Sequence, residues 1–262
     1  MSYRRFAAVA ALVVLCATPA MSKKPPKISD AELQQITERG RELYAYDQAA
    51  WHSSDAVQAQ HPKDGEVRRY IAQKTSEGWI VAYGHLNDTR DAFLITYVAS
   101  EGKTLEDFSV QHFAVPQQDN GFFLSAAKAI DLALKDFRGE NRPYNVAVLP
   151  APNGLLYVYV LPAQTKDGVY PLGGDERYTV SPNGEKIVED HRMHQAVLDF
   201  DTHNPNVAKI AAGYHVHVLS EVPEDSDVFF VLSRRPAVPE YLGANGKMLF
   251  VIQADGSIAH AK

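Results

Sequence analysis

The sequence predicts an α+β fold in which two amphipathic helices pack on a mostly antiparallel sheet. Three observations carry that reading. Two stretches, one from Ser29 to about His52 and one from Phe123 to Phe137, repeat apolar residues at spacings of three, four and seven, the period of a single helix face. Between and beyond them run short β-branched and aromatic segments divided by turn residues. Three Asn-Gly pairs, Asn153-Gly154, Asn183-Gly184 and Asn245-Gly246, mark hairpins, because both central residues of a type I′ turn need positive φ.

In chain order, residues 1–22 read as an export signal. Arg4 and Arg5 precede an apolar run from Phe6 to Leu15, and Ala17-Thr-Pro-Ala20 supplies small residues for cleavage. The run is half the length a bilayer crossing needs. Export would place the mature chain in the periplasm or outside the cell. Cys16, the lone cysteine, leaves with the leader, so disulfides, thiol nucleophiles and thiolate zinc sites are excluded; Leu15 before it argues against a lipid anchor.

Ser29-Asp-Ala-Glu32 is a capping box that starts the first helix, with Leu33, Ile36, Leu43, Tyr44, Ala50 and Trp51 as its apolar stripe. Trp79–Gly84 and Phe93–Val98 flank Asn87-Asp88 as a hairpin, and Ser109–Val115 is a further strand. Phe123, Ala127, Ile130, Leu134 and Phe137 line the second helix, which Gly139 is expected to stop. From Asn145 on, the chain reads as strands. The units are 23–140, helix–strands–helix, and 141–262, mostly antiparallel β; the second helix can also cover the later sheet and make one domain of both. The tyrosines, including Tyr83, Tyr97, Tyr157 and Tyr159, are read as core.

Composition narrows the function. Hydrophobic residues at 45% and charged residues at 22% fit a folded, water-compatible chain with no transmembrane anchor. Net charge is −6, and removing Arg4 and Arg5 leaves 24 Lys+Arg against 32 Asp+Glu, the wrong balance for a nucleic-acid partner. Serine-hydrolase elbows, phosphate loops, dinucleotide fingerprints and His-Glu-x-x-His are all absent. One segment carries chemistry: Gly213-Tyr-His215-Val-His217, followed ten residues later by Asp227. Alternation on a strand puts His215 and His217 on one face. Two imidazoles and a carboxylate can hold Zn²⁺ with a fourth position open to water, whose pKa the metal would lower towards 7. Glu189-Asp-His191-Arg-Met-His194 can lend a ligand if its strand neighbours His215 but reads first as a charged, solvated loop, and Asp175-Glu176-Arg177 reads as a turn with a surface ion pair.

Gly213-Tyr-His-Val-His217 with Pro223-x-x-x-Asp227 resembles the signature of JAMM (MPN-type) metallo-isopeptidases, and Tyr241-Leu-Gly-Ala-Asn-Gly246 is similar to the strand and turn that follow there. The resemblance spans about 40 of 262 residues. It implies a strand ending in His-x-His, a helix that Asp227 begins, and His215, His217 and Asp227 as zinc ligands. The chain departs from the pattern at Val218, where that family has proline, and in a shorter His-to-Asp interval. The catalytic glutamate of the family has its nearest counterpart in Glu176, 39 positions before His215. The chain as a whole resembles exported bacterial proteins. Two functions follow: a non-enzymatic exported protein that binds a ligand or protein partner, which the lack of a complete catalytic set favours, and a zinc-dependent JAMM-like hydrolase using Glu176 as base.

Overall fold

The computed structural model describes residues 28–203 and 210–261. The leader and Cys16 lie outside the described residues. The fold is α+β, with mostly antiparallel sheets and a third helix beyond the two expected.

Helix α1 (Asp30–Gln58) begins on the capping box: Ser29 N–H donates to Glu32 Oε2 at 2.8 Å and Glu32 N–H to Ser29 Oγ at 3.2 Å. It runs two turns past His52, and its buried face is Leu33, Ile36, Leu43, Tyr46, Ala49 and Val57. Trp51 is not on that face; it is 57% exposed and stacks on His52. Strands β1 (Arg69–Thr75), β2 (Gly78–Leu86), β3 (Phe93–Glu101) and β4 (Phe108–Asp119) form a four-stranded meander. Helix α2 (Phe122–Asp136) follows. Its stop is not a glycine in positive φ: Phe137 turns extended, at φ −53° and ψ 137°, and leaves the helix two residues before Gly139.

A second sheet, in the order β5-β6-β8-β9, is built from β5 (Tyr144–Pro150), β6 (Leu156–Pro162), β8 (Glu176–Val180) and β9 (Ile187–Arg192). Strand β7 (Val169–Gly173) pairs instead with β10 (Val197–Asp201). All three Asn-Gly hairpins form. Asn245 and Gly246 both have positive φ, at 50° and 73°, as do Asn153 and Gly154, whereas at the middle turn only Gly184 does.

Alternation along the strands decides which helix each residue meets. Ala72, Val81, Leu149 and Tyr159 face α1, while Ile71, Ala82, Val148, Val158 and Val160 face α2. Both cores draw residues from before and after position 140, so the two predicted units share their interior. Tyr83, Tyr97 and Tyr159 are buried as expected.

The third sheet contains the one parallel pair among the described residues. Strand β11 (Gly213–Val216) pairs parallel with β12 (Glu240–Ala244), and β13 (Lys247–Ile252) and β14 (Ile258–His260) continue antiparallel. Helix α3 (Asp225–Ser233) makes the crossover that a parallel pair requires. It packs against α1 where Gly40 has no side chain; a Cβ there would lie 2.5 Å from Val228 Cβ. No helix among the described residues is long and apolar enough to cross a membrane.

Candidate metal centre

In a strand–helix crossover the end of the strand and the start of the helix are neighbours. This brings His215, His217 and Asp227 together. Along β11 and its extension burial alternates cleanly: Tyr214, Val216 and Val218 are exposed, and His215 and His217 are each 4% exposed. Asp227 lies in the first turn of α3, fully buried, where its Oδ2 accepts the Glu224 N–H at 2.7 Å. His215 Nε2 lies 3.1 Å from Asp227 Oδ1 and 3.2 Å from His217 Nε2.

A fourth group completes the cluster. His194, on the connection between β9 and β10, places its Nε2 2.9 Å from His217 Nε2 and 3.1 Å from Asp227 Oδ1. The ligand atoms of His194, His215, His217 and Asp227 all lie within 4.8 Å of one another, and the group can hold a metal ion. Bonds of about 2.0–2.1 Å imply a tetrahedron with edges of about 3.3 Å. The contacts at 2.9–3.4 Å match those edges.

The hydrogen bonds of the rings' other nitrogens are those of imidazoles that can hold a cation. His217 Nδ1 donates to the Val222 carbonyl at 2.9 Å, a partner that only accepts. His194 Nδ1 donates to Asp175 at 2.8 Å and His215 Nδ1 to Glu240 at 3.0 Å. With each Nδ1 carrying the proton, three Nε2 lone pairs and a carboxylate oxygen converge on one point. That arrangement repels itself unless a positive charge sits between. Metal-binding imidazoles are held by their other nitrogen in this way.

The surroundings reinforce the demand for positive charge. Burial alone would lower His194, but Asp175 and Asp227 overcome it and hold the ring well above its usual pKa. His215 is opposed by burial in the same way, yet Asp227 and Glu240 raise it to about 9. Burial would raise Asp227; His217 and His194 instead hold it well below the carboxylate range. Behind His215, Glu240 accepts from the buried Arg234 at 2.7 Å. That pair needs Gly213, because a Cβ there would lie 1.8 Å from Glu240 Oε2.

A second buried carboxylate braces the helix that carries Asp227. Asp225 accepts from Arg39 of α1 at 3.0 and 3.1 Å, from Tyr159 of β6 at 2.8 Å and from Arg177 of β8. Beside the cluster a cleft of about 340 Å³ opens on His194 and His215, with Leu172, Met193, Leu198, Val216 and Val218 along its walls. Among the described residues no carboxylate lines it.

Three sequence expectations change. Glu176 does not join the histidines. Successive side chains alternate, so Asp175 and Arg177 face the centre and Asp225, and Glu176 lies on the far side with Asp136 and Asp190. Asp175-Glu176-Arg177 is no surface turn, since Asp175 is 1% exposed. Nor is the 189–194 segment a solvated loop: His194 is buried in the cluster, and His191 donates to Glu224 at 2.9 Å. The imidazoles of this segment were the available signal. Their three-residue spacing fits no strand face, and His194 reaches the centre only because β9 ends at Arg192. Comparison with family models, curated proteins and solved structures returned no match.

Proposed function

We propose that this chain is an exported, non-hydrolytic binding protein in which a closed His₃Asp zinc centre rigidifies an apolar ligand-binding cleft. The observation that carries the reading is His194, whose Nε2 takes the fourth corner that a catalytic zinc site leaves to water. Imidazole and carboxylate donors in tetrahedral array suit zinc, and no thiol competes in the mature sequence. The zinc would tie β11 and the 193–196 connection, which border the cleft, to α3. Exposed Leu198, Val216 and Val218, at 48%, 45% and 71%, form the rim, which suits an apolar ligand or an apolar segment of a partner protein.

The cleft's opening onto His194 and His215 favours a second reading, the JAMM-like hydrolase, in which His194 gives way to a substrate. Two measurements separate them. Purified protein should contain about one zinc per chain, and its cobalt-substituted form should show the intense visible bands of four-coordinate geometry, unchanged by added anions. His194→Ala should make those bands anion-sensitive. Absence of bound metal overturns both readings. Peptide hydrolysis by the zinc form, lost in His217→Ala, overturns the non-hydrolytic one.

A further inference from the structure

Beyond the histidine centre, three carboxylates converge at the opposite side of β8. Asp136 is the last residue of α2, Glu176 the first of β8, and Asp190 lies on β9 across from Tyr178. Their oxygens lie within 4.8 Å of one another. Among the described residues, none of the three makes an ion pair, and the side-chain donor turned toward them is the Tyr178 hydroxyl. Glu176 is 7% exposed, so its charge is held close to two others with little water to screen it. Asp136 adds a negative charge at the end of a helix where the backbone dipole is already negative.

Two further features mark the place as built for a cation. Tyr178 is fully buried, and its hydroxyl points at the Glu176 and Asp136 carboxylates without closing a well-formed hydrogen bond to either. The nearest cation, Arg192, sits across the strands from Glu176 but directs its guanidinium to the carbonyls of His194 and Gln195. We propose that Asp136, Glu176 and Asp190 bind a hard divalent cation, Ca²⁺, in a seat half open to water. Only oxygen donors are present, which rejects the soft and imidazole-seeking metals. Ca–O bonds of about 2.3–2.6 Å let one ion touch oxygens up to about 5 Å apart, and the exposed side of Asp136 and Asp190 leaves room for the waters that fill the remaining positions. The ion would tie the end of α2 to β8 and β9.

Terbium, a luminescent stand-in for Ca²⁺, tests the site because the Tyr178 ring would sensitise an ion bound beside it. Tyrosine-sensitised terbium emission should appear with the purified full chain and be displaced by Ca²⁺. It should be lost in Glu176→Gln and in Asp190→Asn, while the zinc content of both variants stays at the wild-type level. Ca²⁺ at tenfold excess over its Kd should also raise the wild-type Tm by about 3–5 °C and leave the variants unmoved. Asp190 is exposed, so its variant keeps the fold if the buried Glu176→Gln does not. No sensitised emission and no Ca²⁺-dependent shift in wild type overturns the proposal, as does emission or a shift of equal size in Asp190→Asn.

Discussion

Asp175 and Glu176 are neighbours in the chain, and both are buried, yet their carboxylates meet opposite conditions. On the Asp175 side each imidazole Nδ1 has an acceptor: His194 donates to Asp175, His215 to Glu240, and His217 to a carbonyl. On the Glu176 side three carboxylates converge, and the donor turned toward them is one phenol whose hydrogen bonds are not well formed. Buried charge is tolerable when paired and costly when alone, so the first region is the better compensated of the two, while in the second the nearest cation, Arg192, turns its guanidinium to backbone carbonyls. The difference teaches that strand alternation, one residue at a time, can divide a sequence motif between two unrelated sites.

Breaking the first region outright should have the largest effect. His217→Ala removes a ligand and leaves Asp227 facing fewer donors; bound zinc should be lost and stability should fall by about 4–5 kcal/mol, roughly 10–15 °C in Tm by calorimetry. Asp225→Asn comes next. It removes the charge and one of the two oxygens that Arg39, Arg177 and Tyr159 share, and should cost about 3 kcal/mol in denaturant unfolding, with the metal content unchanged.

The neighbouring pair sharpens the contrast directly. Asp175→Asn should weaken zinc binding about 10–100-fold in chelator competition, as loss of an imidazole's supporting carboxylate does. Glu176→Gln should leave that affinity unchanged. Equal effects would mean that the two sides are one site.

The smallest effect is expected at Asp47, a half-buried carboxylate of the second kind, with only Gln48 donating to it. Burial raises it to about 6. Between about pH 4 and 6 the folded protein therefore keeps a proton that the unfolded chain has released, so stability falls as pH rises through that window. Asp47→Asn should flatten the fall and stabilise the protein at pH 7 by about 1–2 kcal/mol. Tm against pH for both proteins checks it.

Much of the fold was legible from local chemistry. The capping box at Ser29, the hairpin turn at Asn245-Gly246 and the alternation that pairs His215 with His217 each depend on residues a few positions apart, and all appear in the structure. Asp227 was legible as a carboxylate ten residues past His217, a reading the resemblance reinforced. His194 was legible only as a member of a segment that could lend a ligand, because it meets His217 across 23 residues and through a bend that no periodicity encodes. Glu240, 25 residues from His215, enters only because β12 lies parallel beside β11. Glu176 was misplaced by one residue of parity.

What the sequence determined by itself, then, is the set of elements and the face each side chain takes within them, since φ/ψ preferences, caps and the periods of helix and strand act between near neighbours. Tertiary structure alone decided which faces meet. The crossover through α3, the approach of the 193–196 connection and the burial of Asp175 come from packing distant segments around shared cores, and a metal's ligand set is a statement about those distances.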